Sequence, residues 1–303
     1  MKAGGTLRWM TGLVWLLCAV SCENGEKKKA AGEGADLPAA TGYVLARPHA
    51  LPPAGTKGHV SGRFEMVEAP MTLKMPDEQL VGTMTTRTEK AMRYEVLSAT
   101  EVKILVEKDR DTQEMTLKGE RQPRPPKVSP IEGQALTFTL LDGAWVASLD
   151  GGGELSDEQR EKTKRLSEKL GGSEKVGIYG TGPRTVGEDW EIDPKHIPGM
   201  GVDSNFQGTF HLKFDRVEDY EGHRCAVLLG SMKVVGTPRE DDESGLEINV
   251  TASVTTYRSL EHLEDLKMEL AGEMSMSGSP QPGVSMAVRG PLLIQQKVDL
   301  VLP

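Results

Sequence analysis

Apolar and polar residues alternate along several segments of the last third of the chain. The clearest segment covers residues 266–276, and its apolar members are Leu266, Met268, Leu270, Met274 and Met276. A period of two is that of a β-strand with one buried face. The same alternation recurs over residues 210–214, 248–254, 284–288 and 292–300. It predicts a run of antiparallel strands that curl so that their apolar faces meet.

Shorter segments of the first half carry the same signal, at residues 71–75, 92–96, 102–106 and 136–140. Asp142-Gly143 predicts a hairpin turn into a partner strand over residues 145–149. The four prolines between residues 123 and 130 predict a stiff loop between strands. The two halves share an order of strands that ends in a long hairpin, which favours two related lobes.

One amphipathic helix is predicted between the two sets of strands, over residues 157–170. Ser156 is placed to cap it, Gln159 stands where a capping box needs its partner, and Gly171 is expected to end it. Its narrow apolar stripe fits against a sheet edge or over the mouth of a barrel, and consists of Leu155, Thr163, Leu166 and Leu170.

The amino terminus has the pattern of a secretory signal. Lys2 and Arg8 precede an apolar block over residues 13–20, which is shorter than the about 20 residues that span a bilayer. The block ends in Ala-Val-Ser-Cys22, which resembles the lipobox of bacterial lipoproteins, although Ala19 stands where that family usually has Leu. The resemblance implies that Cys22 carries lipid and begins the mature chain. Ala-Val-Ser also suits an ordinary signal peptidase, so free secretion is the alternative.

These patterns predict a mainly β (α+β) fold, with two related lobes of curved antiparallel sheet, half-barrel or roll-like, and one bridging α-helix. We predict a signal peptide over residues 1–21 and a flexible tether over 22–60, since the latter has no hydrophobic period. After the tether we predict an N-terminal β lobe over 61–155, the helix over 156–171 and a C-terminal antiparallel β lobe over 172–303.

The charge of the chain is acidic, with a formal net charge of −9. Removing residues 1–21 takes away Lys2 and Arg8 and no acid, so the charge becomes −11. An acidic protein without a basic stripe is a poor partner for nucleic acid. It is not drawn to anionic lipid either, so a covalent anchor at Cys22 makes physical sense. We therefore expect export to the bacterial cell envelope, on the periplasmic side or the cell surface.

Candidate reactive groups are dispersed. Cys225 stands in an apolar strand and is expected to be a buried, inert thiol, although a disulfide with Cys22 stays open if Cys22 is not lipidated. Three further sets contain residue types that could bind a metal or hydrolyse a sugar, and we interpret them as structural or surface residues. They are a metal set (His211, His223, Cys225), a calcium set (Asp109, Asp111, Glu114) and a glycosidase-like set (Glu188, Asp189, Glu191, Asp193 around Trp190). No motif for a cofactor is present, so we predict none, and we predict that the protein is not an enzyme.

The Gly187-x-x-Trp190 element, followed by a strand, a glycine turn at Gly222 and a second apolar strand, is similar to a pattern in uncharacterised bacterial envelope lipoproteins. The resemblance covers about residues 180–300. It implies a curved antiparallel sheet in that half and assigns no catalytic residue.

One face of the predicted sheet is rich in methionine and is our candidate ligand face. It is formed by Met268, Leu270, Met274 and Met276 of one strand and by Met286 of the next strand. An ordinary packed core is the other interpretation. The layout resembles outer-membrane lipoprotein carriers and lipid-binding envelope lipoproteins, which implies that the curved sheet shelters a lipid or another apolar ligand.

The leading hypothesis is a non-enzymatic lipoprotein, anchored to a membrane, that binds an apolar or amphipathic ligand. The alternatives are a structural or assembly factor of the envelope that acts through protein contacts, and an enzyme with a dispersed site.

Overall fold

The computed structural model describes residues 42–48, 50–170, 172–197, 205–237 and 245–303. The predicted signal peptide and Cys22 lie outside these residues. The strands of the first half are β1 (Tyr43–Val44), β2 (Lys57–Met75), β3 (Glu78–Ser98), β4 (Glu101–Leu117), β5 (Glu120–Pro123), β6 (Lys127–Val128), β7 (Ala135–Leu141) and β8 (Ala144–Leu149).

Two helices and the remaining strands follow. The helices are α1 (Asp157–Leu170) and α2 (Ser173–Tyr179), and Pro194–His196 forms a 3-10 turn. The strands are β9 (Pro183–Arg184), β10 (Asp189–Ile192), β11 (Gln207–Tyr220), β12 (His223–Gly236), β13 (Glu247–Ser259), β14 (Asp265–Gln281) and β15 (Val284–Val301). Neither of these two helices is long and apolar enough to cross a membrane.

Both sets of long strands belong to one antiparallel sheet of 13 strands. Its order is β10-β11-β12-β13-β14-β15-β2-β3-β4-β7-β8, and β5 and β6 pair with β4. The two halves meet where β15 pairs with β2, for example at Ile294 and Phe64. The predicted lobes therefore share a single sheet, which, over the residues that the structure describes, ends at β8 and β10 and does not close.

The predicted alternation is confirmed. On β13, Ile248, Val250, Ala252 and Val254 are buried, whereas the residues between them face solvent. The apolar residues of β14 at even positions are likewise buried or half-buried. The mainly β, antiparallel fold follows from this one-sided pattern.

The helix and its cap are also confirmed. The backbone N–H of Ser156 donates to Gln159 Oε1 at 2.9 Å, and the backbone N–H of Gln159 donates to Ser156 Oγ at 3.2 Å. This reciprocal pair satisfies two N–H groups that a helix start leaves free. Thr163 and Leu166 are buried on the predicted stripe. Gly171 lies outside the described residues.

The hairpin between β7 and β8 turns where the sequence predicts it. Asp142 and Gly143 have φ of 50° and 82°, and Leu141 pairs with Ala144. Two positive φ values are typical of a type I′ turn, for which Asp-Gly is a favoured pair.

The predicted tether is wrong over its last part. Strand β2 begins at Lys57, Tyr43 and Val44 pair with β9, and Leu45 and Ala46 are fully buried. The reason is that the segment packs irregularly: Tyr43 contacts Phe214 of β11, whereas Leu51 packs against the cluster formed by β4, β7, β8 and α1. No regular period therefore marks the segment in the sequence. Residues 22–41 and residue 49 lie outside the described residues.

The buried apolar side chains form two clusters. The larger runs along β10 to β15 and includes Met66, Met71 and Met84 from β2 and β3. The smaller joins β4, β7, β8 and α1, through residues such as Ile104, Phe138, Trp145 and Leu166. Members of both clusters line one cavity, described next.

Candidate functional site

The inner face of the sheet encloses a cavity of about 290 Å³. Its wall takes side chains from eight consecutive strands of the sheet, β11 to β15 and then β2 to β4. Most of them are apolar, and they include Phe210, Leu212, Met232, Val254, Val60 and Met92. Small-molecule sites usually measure roughly 300–1,000 Å³, so this cavity stands at the small end of that range.

The two helices complete the wall that the sheet leaves open. The last turn of α1 contributes Leu166, Lys169 and Leu170, and α2 contributes Ile178 and Tyr179 among others. The helices thus place apolar side chains over the cavity and bring charged side chains to its wall.

The predicted ligand face divides into two parts. Met268 and Leu270 line the cavity. Met274, Met276 and Met286 are buried in the larger apolar cluster, and none of the three lines the cavity. The predicted parity holds for all five residues, but only the first two stand where a ligand in this cavity would touch them.

A buried arginine ties α2 and the segment around Leu45 to the inside of the sheet. Arg258 on β13 is 0% exposed. Its Nε donates to the Leu45 carbonyl at 2.5 Å, and its Nη1 donates to Asp265 Oδ1 at 2.6 Å. The guanidinium carbon lies 4.2 Å from the centre of the Tyr179 ring.

The ionisable groups of this network are shielded from solvent, and this burial affects their pKa values. Burial is the largest single influence and by itself lowers the pKa of Arg258, but the electrostatic interactions with Asp265 and Tyr179, the hydrogen bond to Asp265 and the charge of Glu264 together outweigh it, so that the pKa lies above its ordinary value. Tyr179 donates to Asp265 Oδ1 at 3.0 Å, and burial together with that carboxylate raises the pKa of Tyr179. Sequence reasoning missed this network. The available signal was Arg258 itself, a charged residue at an inward position of an alternating strand.

Other polar contacts attach the helical segment to the rest of the wall. Lys175 Nζ lies 2.5 Å from Glu264 Oε2, and both residues line the cavity. Trp190 Nε1 donates to the Ile178 carbonyl at 2.8 Å, and the Arg184 guanidinium carbon lies 4.4 Å from the Trp190 ring centre. The cavity therefore has a mainly apolar wall, and polar and charged contacts hold α2 against the sheet.

Tyr94 on β3 brings a polar atom into this apolar wall. Its hydroxyl is buried and has no hydrogen-bond partner among the described residues. Burial, with a smaller contribution from the charge of Glu264, raises the pKa of Tyr94. The ring lies against Gly58, where an added Cβ would come within 2.3 Å of it. Gly58 thus makes the room that the ring occupies.

The predicted histidine and cysteine set does not converge. His211 lies 3.8 Å from Asp189, whereas the His223 ring stands edge-on to His262 at 5.6 Å. Cys225 is fully buried, as expected, and burial raises the pKa of its thiol to about 11. In the part of the chain that the structure describes, no group of three or more His, Cys, Asp or Glu is placed to hold a metal ion.

The three carboxylates of the calcium set do not come together either. Asp109 and Asp111 face inward on β4, where Thr88 donates to Asp111 Oδ1 at 2.6 Å and burial raises the pKa of Asp111. Glu114 instead forms an ion pair with Arg121 at 2.7 Å. The inward pair lies near Lys162 of α1, whose pKa burial lowers.

Of the carboxylates around Trp190, Glu188 serves local structure. Glu188 accepts from the Arg184 guanidinium at 2.5 Å and from the backbone N–H of Thr185 at 2.9 Å. Trp190 itself is 9% exposed, so its ring is packed rather than presented as a platform for a sugar.

Comparisons with known proteins give distant likenesses. Neither protein-family models nor curated proteins gave a match to this chain. Among solved structures, one of lipovitellin, concerned with lipid–protein interactions, aligns at a TM-score of 0.40 and 8% identity, over 82% of this chain and 25% of that chain. This chain thus spans about a quarter of the lipovitellin chain.

Two bacterial structures align more weakly. A β-barrel-like protein of family DUF1849 from Brucella abortus has a TM-score of 0.17 and 12% identity, over 82% of this chain and 99% of that chain. A DUF1329 protein from Desulfovibrio piger has a TM-score of 0.13 and 8% identity, over 81% and 85%. The case for a function therefore comes from the cavity itself.

Proposed function

We propose that this protein binds an apolar or amphipathic ligand inside its curled sheet and has no catalytic role. The observation that carries the proposal is the cavity of about 290 Å³, whose wall draws on eight strands and two helices. Apolar walls with a few polar groups are typical of sites for small apolar molecules. The charged residues at the wall form ion pairs with one another, Arg258 with Asp265 and Lys175 with Glu264. This arrangement suits a binding cavity better than an active site.

We further propose that the protein is a bacterial envelope lipoprotein, held to a membrane through lipid on Cys22. The signal-like leader and the Ala-Val-Ser-Cys22 sequence support this anchor. One acyl chain contributes about 0.8 kcal/mol for each buried CH₂, and stable attachment takes more than one chain. Mass spectrometry of the mature amino terminus is the test. We expect a lipid mass on Cys22, and an unmodified Cys22 would overturn the anchor.

Native mass spectrometry tests the ligand. The full chain, gently purified from its membrane, is expected to carry a small-molecule mass that is lost on denaturation and recovered in an organic extract. Saturable binding of the neutral dye N-phenyl-1-naphthylamine to the emptied protein is the second expected result. The absence of both would contradict the proposal.

A second candidate, a structural or assembly factor, is favoured by strand β8. The described sheet ends at β8, and Leu141 and Val146 beside and within it are 53% and 49% exposed. An unpaired edge with exposed apolar side chains can accept a strand from another protein. In the same mass spectra, a protein partner without a small-molecule ligand would favour this candidate.

A further inference from the structure

Strand β8 forms one end of the described sheet, and part of its backbone has no partner there. The two-residue turn before β8 makes its first residue, Ala144, part of a hydrogen-bonded pair, and such pairs alternate along antiparallel strands. Asp150 has the same phase, since its backbone N–H donates to the Ala135 carbonyl at 2.9 Å. The backbone groups of Trp145 and Ala147 therefore point away from β7. No hydrogen bond of these groups is found among the described residues.

The free backbone groups are arranged symmetrically about Val146, which is exposed on the outer face of the sheet. A second β8 can lie antiparallel to the first, with Val146 opposite its own counterpart. Trp145 of each copy then stands opposite Ala147 of the other. Each of these two pairs exchanges two hydrogen bonds, so the free N–H and C=O groups of both residues are satisfied in both copies.

The surface beside β8 carries charges of both signs. A groove of about 490 Å³ lies between β8 and α1, which leaves room beside the open edge, and its charged residues are Glu154, Arg160 and Lys164. Arg160 pairs with Asp157 at 3.4 Å, whereas no ion pair of Glu154 or Lys164 is found among the described residues. One unpaired charge of each sign favours neither an acidic nor a basic partner. A two-fold interface brings the same surface to itself and so supplies both signs.

We propose that two copies of this chain pair through β8, antiparallel about a two-fold axis at Val146, and so continue one sheet across the dimer. The pairing brings Asp142 of one copy near Asp150 of the other, and the ion pair of Asp150 with Lys103 offsets this like-charge contact. The paired edge is only 6 residues long, so the dimer is weak and reversible. This inference goes beyond ligand binding and does not depend on it.

A disulfide trap tests the register directly. At the axis the two Val146 Cα atoms would lie about 4.5 Å apart, within the range of about 4.4–6.8 Å that a disulfide spans. The purified full chain with Val146→Cys is oxidised mildly and run on a non-reducing gel. We expect a covalent dimer, and none from the unmodified chain, whose Cys225 is buried.

Ser148→Cys is the matched control, because Ser148 is exposed on the same face of β8. In the proposed dimer its Cα lies about 13 Å from that of its counterpart, too far for a disulfide, so it should cross-link at least about tenfold more slowly. Equal rates for the two variants would mean random collision and would overturn the proposal. The absence of a Val146→Cys dimer, or its cross-linking to a different protein, would also overturn it.

A proline on the open edge supplies a second test. Ala147→Pro removes an N–H that points away from β7, so the fold should persist, with little change in the free energy of unfolding. Added to Val146→Cys, it should abolish the covalent dimer. A folded double variant that cross-links as fast as Val146→Cys alone would contradict pairing through the backbone of β8.

Discussion

The two ends of β14 present the same kind of side chain to the interior and meet different surroundings. Met274 and Met276 are 2% and 4% exposed within the larger apolar cluster, whereas Met268 is half-buried and lines the cavity beside Leu270. Alternation identifies the inward face at both ends. Whether that face is packed depends on what lies across the interior, which is other strands at one end and the two helices at the other.

Glycines mark the same contrast. At the packed end, Gly290 pairs with Met274, and a Cβ added at Gly290 would lie 2.5 Å from the Cβ of Ala69. Strands approach closely there and leave little room. At the cavity end, the space above Gly58 is taken by the Tyr94 ring, and the interior stays partly open.

The largest expected effect is at the cavity end, where polar contacts hold the wall together. Arg258→Ala removes a fully buried charge and leaves Asp265 without its main partner. We expect a loss of about 3–5 kcal/mol in the free energy of unfolding, measured with urea. Arg216→Ala, which removes exposed ion pairs with Asp215 and Glu218, should cost no more than about 1 kcal/mol. Similar costs for both variants would refute the role of the buried network.

The packed end should be the more sensitive to loss of a methionine. Met274→Ala is expected to cost about 2–5 kcal/mol, because it opens a new void in a packed cluster. Met268→Ala enlarges a cavity that already exists, so it should cost clearly less in the same urea titration. Equal costs would show that the two ends do not differ in packing.

Alkaline pH tests whether the Cys225 thiol on β12 is shielded from solvent. Burial raises the pKa of its thiol from an ordinary 9 to about 11. Well below pH 9 the thiol is protonated in both states, whereas between pH 9 and 11 the unfolded chain releases its proton first. Stability is therefore lost as the pH rises through this window, by about 2–3 kcal/mol. Urea titrations at pH 8 and pH 11 should show a smaller loss in Cys225→Ala, and an identical loss would speak against a sealed thiol.

The smallest expected effect is a gain in stability. Tyr94→Phe removes a buried hydroxyl that has no partner and keeps the ring over Gly58. In the ligand-free protein we expect the free energy of unfolding to rise by about 1 kcal/mol. A loss of that size would mean that the hydroxyl is already satisfied in the folded chain.

Much of this architecture could be predicted from the sequence because it depends on local rules. The alternation on β13 and β14, the cap formed by Ser156 and Gln159, and the turn at Asp142-Gly143 each follow from residues close in the chain. The pairing of β15 with β2 could not, because it joins segments about 230 residues apart.

The candidate site was predicted only in part for the same reason. Met268 and Leu270 were on the predicted face, but the ends of that face are told apart only by elements from elsewhere in the chain. Lys169 belongs to the polar positions of a helix, and Tyr94 to an ordinary alternating strand. Their place in the cavity wall depends on how α1 lies across the curled sheet.

The most direct measurement places a bulky side chain first in the cavity and then in the packed cluster, at two positions of β13. Val254 lines the cavity at the border of the larger cluster, whereas Val250, four residues away on the same face, is buried in that cluster and does not line the cavity. Val254→Phe should abolish binding of N-phenyl-1-naphthylamine and cost less in the free energy of unfolding than Val250→Phe, which should cost about 1–3 kcal/mol and still bind the dye. Undiminished dye binding by a folded Val254→Phe variant would contradict a ligand site inside the sheet.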